Sequence, residues 1–249
     1  MREDDPAQLG IQFSGVGKQY RQHIDALADG LAKLLEPMQD ELSATATAIS
    51  KVDFPKLQLE MKQSCERLAN LGWTLPMSFT PGQLVELAEH GNTDEQIEQY
   101  MLDYFSVENG CFFLALRRNV LASANLKGWR ALLEECFDAY DCGHYLVPIP
   151  ALLSVIEGAV ARYAGKLRDR QVNPKKLAAD LEKTAQPGGI RFLVWRSSRL
   201  VLERLFAGSD FRGLNPGELN RHWVLHGRDQ MEWTQTDALR LFNLLATIS

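Results

Sequence analysis

The chain has 249 residues, a net charge of -5 and a sequence pI near 5.6. Those values exclude a generic nucleic-acid-coating protein, which carries a basic surface, while leaving room for a small local basic site. The 45% hydrophobic and 24% charged content is that of an ordinary globular protein, long enough to bury a full core.

The first residues, Met1-Arg-Glu-Asp-Asp, are acidic and lack an apolar signal region, and no apolar run reaches the length of a membrane span. A soluble, cytoplasmic protein without a membrane partner is expected. Four cysteines (Cys65, Cys111, Cys136, Cys142) are scattered with no CxxC pair. That pattern points to buried, reduced thiols rather than a disulfide framework. Cys136, Cys142 and His144 lie near one another, but no fourth ligand is in view, so no metal is expected there.

Residues 1–16 are polar and are expected to be loosely attached. From Tyr20 to Ile49 apolar residues recur at three- and four-residue steps, which predicts a helical arm, a dimer element or a first core helix. Pro55 marks a boundary, giving an N-terminal helical extension over 1–52 and an all-α domain over 53–249. A helix carrying Leu57, Met61, Cys65 and Leu68 ends at Gly72. A connector with two prolines leads to Thr80-Pro81, which opens the next helix because proline suits its first turn. Thr93-x-x-Gln96 matches a capping box. Apolar segments follow over 111–121 and 129–140.

Pro148-Ile-Pro150 introduces the most apolar helix of the chain, which is therefore expected to be central. Glu157 stands in its middle. A carboxylate there is costly unless it is paired or lies on a solvent-facing stripe with Arg162. Asn173-Pro174 begins a short helix, Gln186-Pro-Gly-Gly189 breaks the chain, and a helix from Ile190 to Phe206 carries several arginines. Thr236-Asp237 is expected to cap a last helix through Leu241, Phe242 and Leu245. With no convincing β-alternation and no internal repeat, the fold class is all-α, a bundle of about nine to eleven helices.

The stretch between those last two helices holds the candidate chemistry. Asn215-Pro-Gly-Glu218 has the form of a capping-box start, and Gly227 that of a left-handed stop. The predicted helix carries Arg221, His222 and His226, two of the chain's five histidines among them. Two histidines four apart suggest a zinc-peptidase helix, but that motif needs a Glu directly after the first His, and Trp223 stands there. Neither a metal nor another cofactor is expected. Phosphate chemistry fits better: Arg221 offers a fork of donors, and His226 can move a proton. That is the minimum set for attack of a ribose 2′-hydroxyl on its own phosphodiester. The bland alternative has the histidines bonded to carbonyls and the arginines paired with Glu218 or Asp229.

The string Asn220-Arg221-His222-Trp-Val-Leu-His226-Gly227 resembles the signature of the HEPN (higher eukaryotes and prokaryotes nucleotide-binding) superfamily: an Arg followed by a polar residue, then a His after four to six residues. The resemblance implies a compact helical bundle, a homodimer with facing motifs, and metal-independent RNA cleavage in phage defence or a toxin–antitoxin pair. Other members of that superfamily are inactive binding or antitoxin partners. By the same resemblance Arg221 would contact the scissile phosphate, His226 would do acid–base work and His222 would position one of them. Asn220, Arg228 and Glu157 are candidate RNA-binding neighbours. The competing expectation is a non-catalytic helical interaction or nucleotide-binding module.

Overall fold

The computed structural model describes residues 53–90, 93–163, 174–185, 189–208, 210–212, 218–230 and 232–249. The predicted arm over 1–52, including its Tyr20–Ile49 stripe, lies outside the described residues. The chain divides into two units, and the second, Pro55–Ser249, holds nearly all the described residues.

The described residues are all-helical, with no strand among them. Among the described residues nine α-helices occur in the order α1 (Phe54–Asn70), α2 (Pro81–His90), α3 (Asp94–Ala122), α4 (Arg130–Asp141), α5 (Pro148–Tyr163), α6 (Pro174–Thr184), α7 (Ile190–Leu205), α8 (Arg221–Leu225) and α9 (Gln235–Ile248). A 3₁₀ segment, Ala124–Trp129, joins α3 to α4. The expected capping box is present at α3: Thr93 Oγ1 accepts from the Gln96 amide, and the Gln96 side chain accepts from the Thr93 amide. The two apolar patterns around Gly110 are continuous within α3, and Gly110 adopts φ 75 there, a conformation open to glycine at little cost.

The last helix is the hub. In α9, Ala238, Leu239, Leu241, Phe242, Leu244, Leu245 and Ile248 are all buried, which covers nearly its whole circumference. It packs against α3, α5 and α7. Phe242 stacks on Phe137 with ring centroids 4.1 Å apart and meets Phe113 and Tyr140 edge-on. The expected centre, α5, therefore shares that role, and it keeps one open stripe at Ser154, Glu157 and Arg162. The cap of α9 is Thr234, not Thr236; its hydroxyl accepts from the Asp237 amide, so the helix starts two residues earlier than expected.

Burying α9 this fully also buries Asn243 and Thr247, and both are satisfied. Asn243 Nδ2 donates to the Thr74 carbonyl at 2.7 Å and to Thr74 Oγ1 at 3.0 Å, and Thr74 Oγ1 lies 3.1 Å from Thr247 Oγ1. The connector before α2 is thus fastened to the hub by polar groups sealed from water.

The arginines of α7 do not form a basic face. Arg196 bridges Glu66 of α1 at 2.5 Å and Glu182 of α6 at 2.8 Å, while Arg199 holds Glu182 at 2.6 Å and Glu203 at 2.9 Å. All four cysteines are free. Burial pushes the Cys65 thiol up to about 12 and that of Cys136 up to about 11, as expected for packed, reduced thiols. Cys142, by contrast, is exposed, because the turn after α4 lifts it out of the core.

Asn243→Ala removes both donors to Thr74 and leaves a buried carbonyl unpaired. The expected cost is about 1–3 kcal/mol, measured as the shift in urea midpoint at unchanged slope. A neutral result would show that this tie carries no stability.

Candidate functional site

The short helix α8 is built by its ends. Asn220 is extended (φ -129, ψ 127), and its Oδ1 accepts from the amides of His222 at 2.9 Å and Trp223 at 3.4 Å. Its Nδ2 donates to the Ala207 carbonyl at 3.2 Å, so one buried amide both caps α8 and ties it to the end of α7. At the other end Gly227 has φ 63, with Gly227 N donating to Val224 O and Arg228 N to Trp223 O. That is a Schellman stop, as the glycine predicted. Trp223 and Val224 are buried beneath the helix and fix its height on the core.

The start is where expectation and structure part. Helix α8 begins at Arg221 and not near Pro216; Asn215 and Pro216 lie outside the described residues. Glu218 is in a bend, where it takes both Nε and Nη2 of Arg204. With its carboxylate engaged by α7, it is not a capping residue, and the cap passes to Asn220.

Glu157 and Arg221 come together. Arg221 donates from Nη2 at 2.6 Å and from Nε at 3.0 Å to the same oxygen, Oε2 of Glu157. The Arg221 side chain is 23% exposed and that of Glu157 43%, so the pair sits at the rim of the protein. An ion pair this open contributes about 1 kcal/mol or less to stability. Its larger effect is directional, since a guanidinium held along one edge presents its other edge at a fixed angle. Glu157 therefore satisfies both expectations for it, standing on the open stripe of α5 and also being paired. Arg162 of the same stripe turns elsewhere, donating to the Asn125 carbonyl at 2.7 Å and lying over the Trp129 ring.

The two histidines stack on each other, with ring centroids 6.2 Å apart and planes within 8°. His226, the C-cap residue, is exposed. Helical geometry of 3.6 residues per turn places Arg221 and His226 about 140° apart around the axis. No hydrogen bond joins them; α8 presents them on different faces of one short turn.

Phe211, to which the sequence alone assigns no role, completes the group. It meets Trp223 and His226 edge-on, each with centroids 5.5 Å apart, and the exposed guanidinium of Arg228 lies 4.3 Å above its ring. The available signal was an aromatic residue beside Arg212 in a polar loop. Asp229, an expected arginine partner, accepts from Trp233 Nε1 at 2.9 Å.

A cleft of about 710 Å³ opens elsewhere, between the end of α1, α7, α9 and the segments flanking α8. Arg204, Arg240, Trp233 and Leu241 line it, while Arg221, His222 and His226 do not. Its arginines are engaged by Glu218, Glu98 and Asp237. Among the described residues no group of three or more His, Cys, Asp or Glu side chains is placed to hold a metal. No family model, curated protein or solved structure matches the chain.

Asn220→Ala removes the cap. A loss of about 1 kcal/mol is expected, with faster hydrogen exchange at the His222 and Trp223 amides. Unchanged exchange at those two amides would contradict the capping role.

Proposed function

We propose that this protein is a metal-independent endoribonuclease in which Arg221 and His226 act on one RNA phosphodiester. The observation that carries the proposal is a guanidinium anchored by Glu157 on the same short capped helix that ends in an exposed imidazole. The local resemblance to the HEPN signature supports the same residues in the same roles.

In the proposed reaction the ribose 2′-oxygen bonds to phosphorus and the P–O5′ bond breaks. The proton leaving the 2′-hydroxyl is matched by one delivered to the 5′-oxygen, giving a 2′,3′-cyclic phosphate and a 5′-hydroxyl. His226 handles a proton in this exchange, and His222, stacked on it, sets its plane. Arg221 meets the charge that builds on the phosphoryl oxygens. Its Nε and Nη2 are engaged by Glu157, which leaves the Nη1 side of the fork to face an anion. The proposal includes a homodimer with the two motifs facing each other, the arrangement that the resemblance implies. In that setting the RNA lies between two copies of α8, and the biological context is phage defence or toxin–antitoxin control.

The Arg221–Glu157 pair within one chain favours a second reading, a non-catalytic helical interaction or nucleotide-binding module in which the pair is a strut between α5 and α8. The two readings part on turnover. Purified protein is expected to cleave single-stranded RNA in EDTA, leave cyclic phosphate ends and spare all-deoxy substrates. Arg221→Ala and His226→Ala should each lower the rate by about 100-fold or more with the fold retained by circular dichroism. Cleavage that survives both changes removes these residues from the mechanism, and no cleavage by the unaltered protein favours the module.

A further inference from the structure

We infer that Phe211 and Arg228 form a seat for one unpaired RNA base next to the phosphate handled by Arg221 and His226, so that the substrate is single-stranded at that position. The inference rests on the ribonuclease reading and specifies its substrate. Three observations carry it. First, Arg228 is exposed and lies over the ring of Phe211 at 4.3 Å, although no carboxylate pairs with it among the described residues. A guanidinium is planar and weakly hydrated, and one resting on an aromatic ring offers its outer face to a base. Second, the same Phe211 ring abuts the His226 imidazole at 5.5 Å, so a base stacked there is adjacent to the proposed acid–base residue. Third, Arg212 follows Phe211 directly and is exposed, so a second guanidinium stands close to the seat for the adjoining phosphate, with Asp210 and Asp229 as the neighbouring acids.

Duplex RNA hides its base faces within the stack, so a stacking seat discriminates against it. Base readout by hydrogen bonds is not required, which makes the seat tolerant of sequence. Phe211 anchors Arg228, and Arg228 would touch the base. Both are binding residues rather than catalytic ones.

The test is fluorescence anisotropy at low salt with uncleavable 2′-O-methyl RNA: a single-stranded 12-mer, its duplex, and a 12-mer carrying abasic sugars throughout. The full-length protein is expected to bind the single strand about fivefold or more tightly than either of the others. Arg228→Lys, which keeps the charge but not the plane, should erase most of that preference, and so should Phe211→Leu. The comparison of abasic with normal strands needs no variant, so a misfolded Phe211→Leu would not blunt it. Equal binding of abasic and normal strands by a protein that still cleaves RNA overturns the base seat and leaves the ribonuclease reading standing. Absence of any RNA binding or cleavage overturns both.

Discussion

Helix α9 has almost no side left for water, and its two buried polar residues must find partners inside the protein. The rest of the described unit is arranged to meet that demand. Helices α3, α5 and α7 supply apolar cover, and the connector at Thr74 supplies the hydrogen bonds. The position of the candidate site follows from this packing. Helix α5 turns its apolar faces toward the core and its open stripe outward, which brings Glu157 to the rim. Helix α8 lies against α5, held down by Trp223 and Val224 and closed at both ends by Asn220 and Gly227.

Charge is used differently in different parts of this acidic chain. Arg196, Arg199, Arg204 and Arg240 are engaged by carboxylates from other segments of the chain, where they act as ties between elements. At α8 the pattern changes. Arg221 is oriented by a single carboxylate oxygen, and Arg228 rests on a ring rather than an acid. An exposed His226 ends the same helix. A tie between helices maximises the number of hydrogen bonds, whereas a site for an anion holds its donors while leaving part of their capacity unspent. In the proposed function Arg221 has the second character.

Much of this was legible in the residues. Periodicity placed most of the described helices, and cap chemistry found Thr93 and Gly227 because those signals act over three or four residues. The errors were also local in origin. Asn215 and Glu218 satisfy a capping-box pattern, but Arg204, fourteen positions away in sequence, claims Glu218 and the cap moves to Asn220. Thr234 and Thr236 are equally plausible caps by type, and only the position of Asp237 three residues beyond Thr234 decides between them. Glu157 was marked as a residue needing an explanation, yet its partner is 64 positions away and no periodicity reaches that far. Phe211 was missed for a related reason, since its significance lies in what surrounds it and not in its neighbours along the chain.

The most direct measurement is NMR observation of the histidine ring and arginine side-chain signals while a single-stranded RNA, made uncleavable by 2′-deoxy sugars, is added to the full-length protein. The account predicts that the imidazole signals of His226 and the side-chain Nε–H signal of Arg221 shift together and saturate at one RNA concentration. Saturable binding that moves signals elsewhere while leaving both of these unchanged would contradict it.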